Sequence, residues 1–186
     1  MPRLLNILLA IVGLIILIIP MLLIGLIIKI TSPGPAIHRS KRVGINNNIF
    51  LMPKFRTMWA NTPQLATHLL QDSENYLTSF GSFLRKNSLD ELPQLWSVLI
   101  GDMNLVGPRP ALFNQHDLIE IRTKYRIHTL KPGITGWAQI NGRDEISMET
   151  KVKFDQEYLE KRSLLFDIKI LFITVNKILR KENITH

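Results

Sequence analysis

Residues Ser88 to Pro110 read SLDELPQLWSVLIGDMNLVGPRP, the stretch that sets the local architecture around which the rest of the chain is read. Ser88 and Glu91 match the S-x-x-E capping box, in which a serine hydroxyl and a glutamate satisfy unpaired N–H groups at a helix start. Adjacent carboxylates such as Asp90 and Glu91 are also stabilised in a first helical turn by the macrodipole. Pro93 suits that turn, where its missing N–H does little harm. Leu95, Trp96, Val98, Leu99 and Ile100 then continue as an apolar helix that Gly101 ends. Beyond it, DMNLVGPRP brackets Arg109 between two prolines, so a rigid turn presents a guanidinium fork able to bind phosphate oxygens in a bidentate way. Capping alone accounts for the acidic pair; it does not account for the rigidity around Arg109.

Toward the N-terminus, Leu4 to Ile28 carries no charge, and only Asn6, Gly13, Pro20 and Gly25 interrupt its run of apolar residues. About 20 such residues suffice to cross the hydrocarbon core, which places this segment in the membrane. The run exceeds the roughly 7 to 15 residues of a signal-peptide core, and no small-residue cleavage site follows. Pro20 removes one helical N–H and crowds the carbonyl of Ile16, so a kink is expected. Arg3 precedes the run and Lys29, Arg39, Lys41 and Arg42 follow it. Charge retention of both flanks on one side suits a re-entrant helix, while a Pro-kinked straight span is equally common, and charge leaves both open.

After the break TSPGPA at Thr31 to Ala36, two short runs, Ile37 to Val43 and Ile49 to Met52, flank a Gly/Asn turn over Gly44 to Asn48 and read as a small hairpin. Lys54 and Arg56 follow two residues apart, on the same side of an extended chain. Thr62 to Leu84 reads as one or two helices, with Thr62 as a cap and His68 as a surface or packing residue. Lys131 to Arg143, KPGITGWAQINGR, reads as a glycine-rich hairpin with an NG turn. Its glycines let backbone approach a ligand, Trp137 suits ring stacking or an interfacial anchor, and Gln139 and Asn141 suit ligand edges. From Ser163 to Lys181 the chain forms an apolar helix with Asp167, Thr174, Lys177 and Lys181 on one stripe. That helix packs under the catalytic layer or lies among lipid headgroups.

The 186 residues hold one domain of ordinary size, with 23 Lys plus Arg against 15 Asp plus Glu, a formal charge of +8. This suits an anionic membrane surface or a phosphorylated substrate. Nucleic acid is disfavoured, because the cations accompany Pro/Gly turns without a reading helix or aromatic platform. The absence of cysteine excludes disulfides, thiolate zinc sites and a Cys nucleophile.

Together SLDELPQLWSVLIGDMNLVGPRP, KPGITGWAQINGR, the preceding KFRTM and the proline-bearing apolar N-terminus closely resemble the bacterial sugar transferases, in the small single-domain form of the monotopic phosphoglycosyl transferases. The resemblance spans about Arg3 to Lys181. It implies an α/β fold, mostly helical with a short β-hairpin. Residues 1–30 would be a re-entrant membrane helix broken at Pro20, and residues 31–186 a compact cytoplasmic catalytic domain with interfacial amphipathic helices. The implied activity moves a sugar 1-phosphate from a UDP-sugar to polyprenyl phosphate, usually undecaprenyl phosphate, releasing UMP with Mg²⁺ as cofactor. The family pattern makes Asp90 the nucleophile of a ping-pong reaction through an aspartyl phosphosugar, with Glu91 as its partner, both beside the metal. Lys54, Arg56, Arg85 and Arg109 take phosphate- and substrate-binding positions, and Gln139, Arg143 and Asp167 are further motif positions. Membrane lipid is an implied partner, a homodimer is compatible, and the implied location is the cytoplasmic face of the bacterial inner membrane. The chain departs from the family at Ile19, where Ser is frequent, at Ser40, where Gln is common, and at Pro53. Two other classes share these features: an inactive membrane-tethered nucleotide-sugar-binding scaffold, and a metal-dependent phosphohydrolase. The sugar is not legible.

Overall fold

In the computed structural model of the chain, residues 1–60, 62, 73–142 and 146–180 are described. His68, Arg143 and Lys181 lie outside them. The first element, α1, is a single helix over Arg3–Thr31 that runs on through Pro20. Its 29 residues correspond to roughly 43 Å of helix along its axis, at about 1.5 Å per residue. It is the one helix among the described residues long and apolar enough to cross a membrane. Such a helix is compatible with membrane association.

α1 does not stand apart from the rest of the chain. Asn6, Ala10, Ile24 and Ile28 are buried, and Gly13, Leu17 and Met21 between them are half-buried. The three- and four-residue spacing of this series puts it on one helical face. Leu4, Leu8, Ile11, Ile15, Ile18, Leu22 and Leu26 lie exposed on the rest. At its start, the Arg3 guanidinium donates to the carbonyls of Val98 and Leu99, and the Asn6 carboxamide accepts from Leu105 N–H. At its end, Ser32 accepts from Arg56 through both its carbonyl and its hydroxyl.

The expected hairpin is present as β1, Ile37–Val43, paired antiparallel with β2, Ile49–Phe55. The second strand extends past Met52 through Pro53, which meets Arg39 across the pair, and Ser40 faces Met52. A two-stranded sheet leaves an outer edge on each strand, so Pro53 can be accommodated without an N–H. A 3₁₀ turn over Ser73–Tyr76 leads to α2, Ser79–Lys86, which Thr78 caps by accepting from Gly81 N–H.

The capping box at Ser88 does not form. Ser88 adopts a left-handed conformation, φ 54°, and its side chain caps nothing. Leu89–Glu91 make a 3₁₀ turn instead, and α3 begins beyond Pro93, over Gln94–Ile100, ending at Gly101 as expected. The glutamate that a capping box needs is held elsewhere, by Lys54 and Arg109.

The hairpin expected at Lys131 to Arg143 is also replaced. Gly133–Thr135 is a strand, β4, paired parallel with β3, Asn104–Val106. The chain then enters a short helix, α5, Trp137–Ile140. A Cβ on Gly133 would collide with the backbone of Gly107 and of Thr135, so glycine is what lets these backbones cross. Trp137 is absorbed into structure: its indole donates to Glu157 and packs on Phe154 and Phe166.

Around this pair stand α4, His116–Lys124, α6, Met148–Lys161, and α7, Leu164–Arg180. Val106, Ile127, Ile140, Val152, Tyr158 and Ile170 form the main core between them. Two smaller clusters join α1 to the domain, one through Val98 and Met103, the other through Phe55 and Leu84. In α7 the polar stripe points inward. Asp167 accepts from Tyr158 and from the Met1 amino group, Thr174 bonds Thr135, and Lys177 donates to the Ile140 carbonyl. Ile170 joins that stripe in the core, while other apolar residues point out, with Leu165 79% and Phe172 68% exposed.

Asn6→Leu leaves the Leu105 N–H without its acceptor at a fully buried position. We expect unfolding free energy in detergent to fall by about 1–3 kcal/mol, read by chemical denaturation. An unchanged midpoint would show that Asn6 does not anchor α1.

Candidate active site

Three segments distant in sequence bring their charges together. The 3₁₀ turn after α2 supplies Asp90 and Glu91, β2 supplies Lys54, and the Pro108–Pro110 turn after β3 supplies Arg109. Lys54 Nζ stands 2.7 Å from Glu91 Oε1 and 3.9 Å from Asp90 Oδ2. Arg109 grips the same glutamate, Nη2 at 2.9 Å from Oε1 and Nη1 at 3.5 Å from Oε2. Both Glu91 oxygens are therefore engaged, while Asp90 is offset from the nearest cation. Arg85, in the last turn of α2, donates its Nε to Thr57 Oγ1 at 2.9 Å.

Like carboxylates in a poorly hydrated place cannot both stay charged unless cations compensate. Burial pushes the Asp90 carboxyl up; Lys54 opposes that, and the neighbouring Glu91 charge adds to it. Burial would push Glu91 up as well, but Arg109 and Lys54 beside it hold it well below the usual carboxylate range. Burial lowers Lys54, and Glu91 opposes the fall. The two acids are thus driven apart, Glu91 downward and Asp90 upward.

Arg109 is held from behind. Arg122 on α4 donates to the Arg109 carbonyl at 2.8 Å, and its other nitrogens are clamped by Asp155 of α6 at 2.6 and 3.0 Å. Arg42 donates to the next carbonyl, that of Pro110, at 3.1 Å. Sequence reading missed Arg122 and Asp155. Their partners lie 13 and 33 residues away, and no local motif marks them.

The other expected site residues lie in different settings. The Arg56 guanidinium is buried against Ser32 and Pro33 at the end of α1. Asp167 is buried against Tyr158 and the chain start. Gln139 donates to the Ile134 carbonyl at 3.5 Å, beside the Gly107–Gly136 crossing, and Asn141 donates to the Trp137 carbonyl.

For a metal the donor set is small. No group of three His, Cys, Asp or Glu side chains gathers among the described residues. With Glu91 occupied, Asp90 is the carboxylate of the pair left to contact a cation. Mg²⁺ characteristically takes one or two carboxylates and completes its shell with water and substrate phosphates, so one carboxylate fits an ion that arrives with a diphosphate.

Comparison with known proteins shows the family. The profile of the family described as "Bacterial sugar transferase" matches residues 1–181. The chain is 44% identical over 161 residues to the UDP-glucose:undecaprenyl-phosphate glucose-1-phosphate transferase of Escherichia coli (strain K12), a match covering 83% of this chain and 35% of that protein. It is 44% identical over 158 residues to "Uncharacterized sugar transferase EpsL" of Bacillus subtilis (strain 168), covering 85% of this chain and 77% of the relative. It is 39% identical over 165 residues to the UDP-N-acetylgalactosamine-undecaprenyl-phosphate N-acetylgalactosaminephosphotransferase of Aeromonas hydrophila, covering 86% and 39%. The chain belongs to the bacterial sugar transferase family. It spans about a third of the length of the first relative and about two fifths of the third.

The divided ionisation has a direct check. In side-chain carboxyl NMR titration, Asp90 takes up its proton at higher pH than an ordinary aspartate, while Glu91 stays ionised below the ordinary glutamate range. Lys54→Met removes the strongest influence opposing the rise of Asp90, so its titration moves further up. A fall, or no movement, would contradict this assignment of charge.

Proposed function

We propose that this protein transfers a sugar 1-phosphate from a UDP-sugar to a polyprenyl phosphate such as undecaprenyl phosphate, with Asp90 as the nucleophile. The observation that carries the proposal is the division of labour in the acidic pair. Glu91 is saturated by Lys54 and Arg109, which leaves Asp90 as the unclamped oxygen nucleophile beside a fixed positive field.

An Asp90 oxygen attacks the β-phosphorus of the donor. The bond from that phosphorus to the bridging oxygen breaks, UMP leaves with the electron pair, and an aspartyl phosphosugar remains. A polyprenyl phosphate oxygen then attacks the same phosphorus, the acyl–phosphate bond breaks, and the Asp90 carboxylate is restored with polyprenyl diphosphosugar as product. Each half-reaction brings an anion to an anion, so preorganised cations lower the barrier most effectively. We assign that task to Lys54, Arg85 and Arg109. Mg²⁺, held by Asp90 and the donor diphosphate, would neutralise charge on the phosphates when bound. Covalent catalysis lets one carboxylate meet a soluble nucleotide sugar and a membrane-held phosphate in succession.

In our reading α1 enters and leaves the bilayer on the cytoplasmic side of the inner membrane. A helix crossing the membrane straight would separate its ends by the full bilayer. Support for re-entry comes from Arg3 and Asn6 at one end and Ser32 and Pro33 at the other, all bonded to one domain. The outward apolar stripe of α7 supports an interfacial role for that helix. Relatives that carry glucose and N-acetylgalactosamine in their names leave the sugar to be assigned by assay.

Purified protein incubated with a panel of UDP-sugars and undecaprenyl phosphate should release UMP with one or a few donors. Asp90→Asn should cut release by roughly 10⁴-fold or more, the scale on which loss of a nucleophile acts. Chelation should stop turnover and Mg²⁺ restore it. Sustained UMP release without acceptor would identify a phosphohydrolase, and no release with any donor would identify a binding scaffold.

A further inference from the structure

The end of β2 leads into two buried residues whose side chains serve different parts of the molecule. Arg56 donates Nη1 to the Pro33 carbonyl at 2.7 Å, and Nη2 to the Ser32 carbonyl at 2.8 Å and hydroxyl at 2.7 Å. That hydroxyl in turn donates to the Ile28 carbonyl in the last turn of α1. Gly34, at φ +114°, packs over the same guanidinium, and a Cβ there would strike it. The Arg56 head is thus committed to the exit of α1.

Thr57, the next residue, holds α2 at both ends. Its carbonyl accepts from the N–H of Thr78 at 3.0 Å and from the Thr78 hydroxyl at 3.3 Å, which places the N-cap. Its hydroxyl accepts from Arg85 Nε at 2.9 Å in the last turn. Between them, Gly81 sits so close to the Thr57 carbonyl that a Cβ would collide with it. Arg85 is therefore pinned by its Nε, and its guanidinium lies close enough to Asp90 and Glu91 to feel both charges.

We infer that Arg56 and Thr57 link the seating of α1 to the aim of Arg85, so that the donor phosphates meet a correctly placed guanidinium only when the Ser32–Pro33 exit is docked. Thr57 and Arg56 are positioning residues, and this link rests on the proposed transferase reading. Fixing a fork by its Nε leaves its two-pronged face to a phosphate, and a fork free to swing would lose that orientation.

The test compares wild type, Thr57→Val, Thr57→Ser, Ser32→Ala and the Ser32→Ala/Thr57→Val double variant, each as full chain in nanodiscs. Thr57→Val keeps the shape and removes the acceptor. It should lower kcat/KM for UDP-sugar by roughly 10- to 100-fold, the scale of one hydrogen bond to a charged group. Thr57→Ser should stay within about threefold of wild type, as expected when only a methyl group is lost. Ser32→Ala should lower the same constant, and the double variant should be no worse than Thr57→Val within about twofold, because both act through one link. In an Arg85→Ala background neither substitution should have a further effect. Multiplying effects in either cycle, or a Thr57→Val enzyme equal to wild type, would overturn the inference. Calorimetric binding of UDP to the same set separates this link from the reaction. If no variant, wild type included, turns over, weaker UDP binding by Thr57→Val that vanishes in the Arg85→Ala background still supports it, and unchanged binding refutes it.

Discussion

Two cations closing on one glutamate organise this molecule. Asp90 and Glu91 are neighbours in a tight 3₁₀ turn and both are buried, an arrangement that mutual repulsion and lost hydration would oppose. Lys54 from the hairpin and Arg109 from the Pro-Arg-Pro turn offset that cost at Glu91. The hairpin, the 3₁₀ turn before α3 and the turn after β3 are tied to one another through these three charges. With Glu91 neutralised by direct contact, Asp90 keeps a field without a clamp, the condition under which a carboxylate can act on a phosphate.

The supports of this site run through buried residues behind it. Arg109 depends on Arg122, and Arg122 on Asp155 in α6. Truncating one member of a buried pair like Arg122–Asp155 leaves a charge uncompensated, so its loss costs more than one contact. α1 and α7 each turn polar groups such as Asn6, Asp167 and Thr174 inward beside apolar ones such as Ile24, Ile28 and Ile170, and leave other leucines, isoleucines and a phenylalanine exposed on the outer face. An ordinary surface helix in water does the opposite. The N-terminal helix and the last helix thus share an outward apolar face.

Much of this was legible from residue order. The length and apolarity of α1, the Gly/Asn turn between β1 and β2, the apolar run of α3 and the rigid turn at Arg109 are local signals, and local signals survive folding. The polar stripe of α7 was legible as a stripe, but its inward direction depends on Tyr158, Thr135 and Ile140, which periodicity does not name. The capping box at Ser88 failed because cations 37 and 18 residues from Glu91 competed for its carboxylate. The Lys131 to Arg143 hairpin failed because Gly133 and Gly136 serve a crossing with Gly107, and only Gly142 lies in a turn. Arg56, grouped with Lys54 by spacing, turns to the α1 exit instead, a partner that no pattern within KFRTM indicates.

The central claim is that Asp90 forms a bond to the transferred phosphorus. Intact-mass and peptide mass spectrometry of the acid-quenched protein, after exposure to the productive UDP-sugar and Mg²⁺ without acceptor lipid, tests it directly. The account predicts one added phosphosugar mass on the peptide containing Asp90, formed with one equivalent of UMP, chased by undecaprenyl phosphate and absent from Asp90→Asn. An enzyme that turns over with both substrates yet shows no adduct and no acceptor-independent UMP would contradict it.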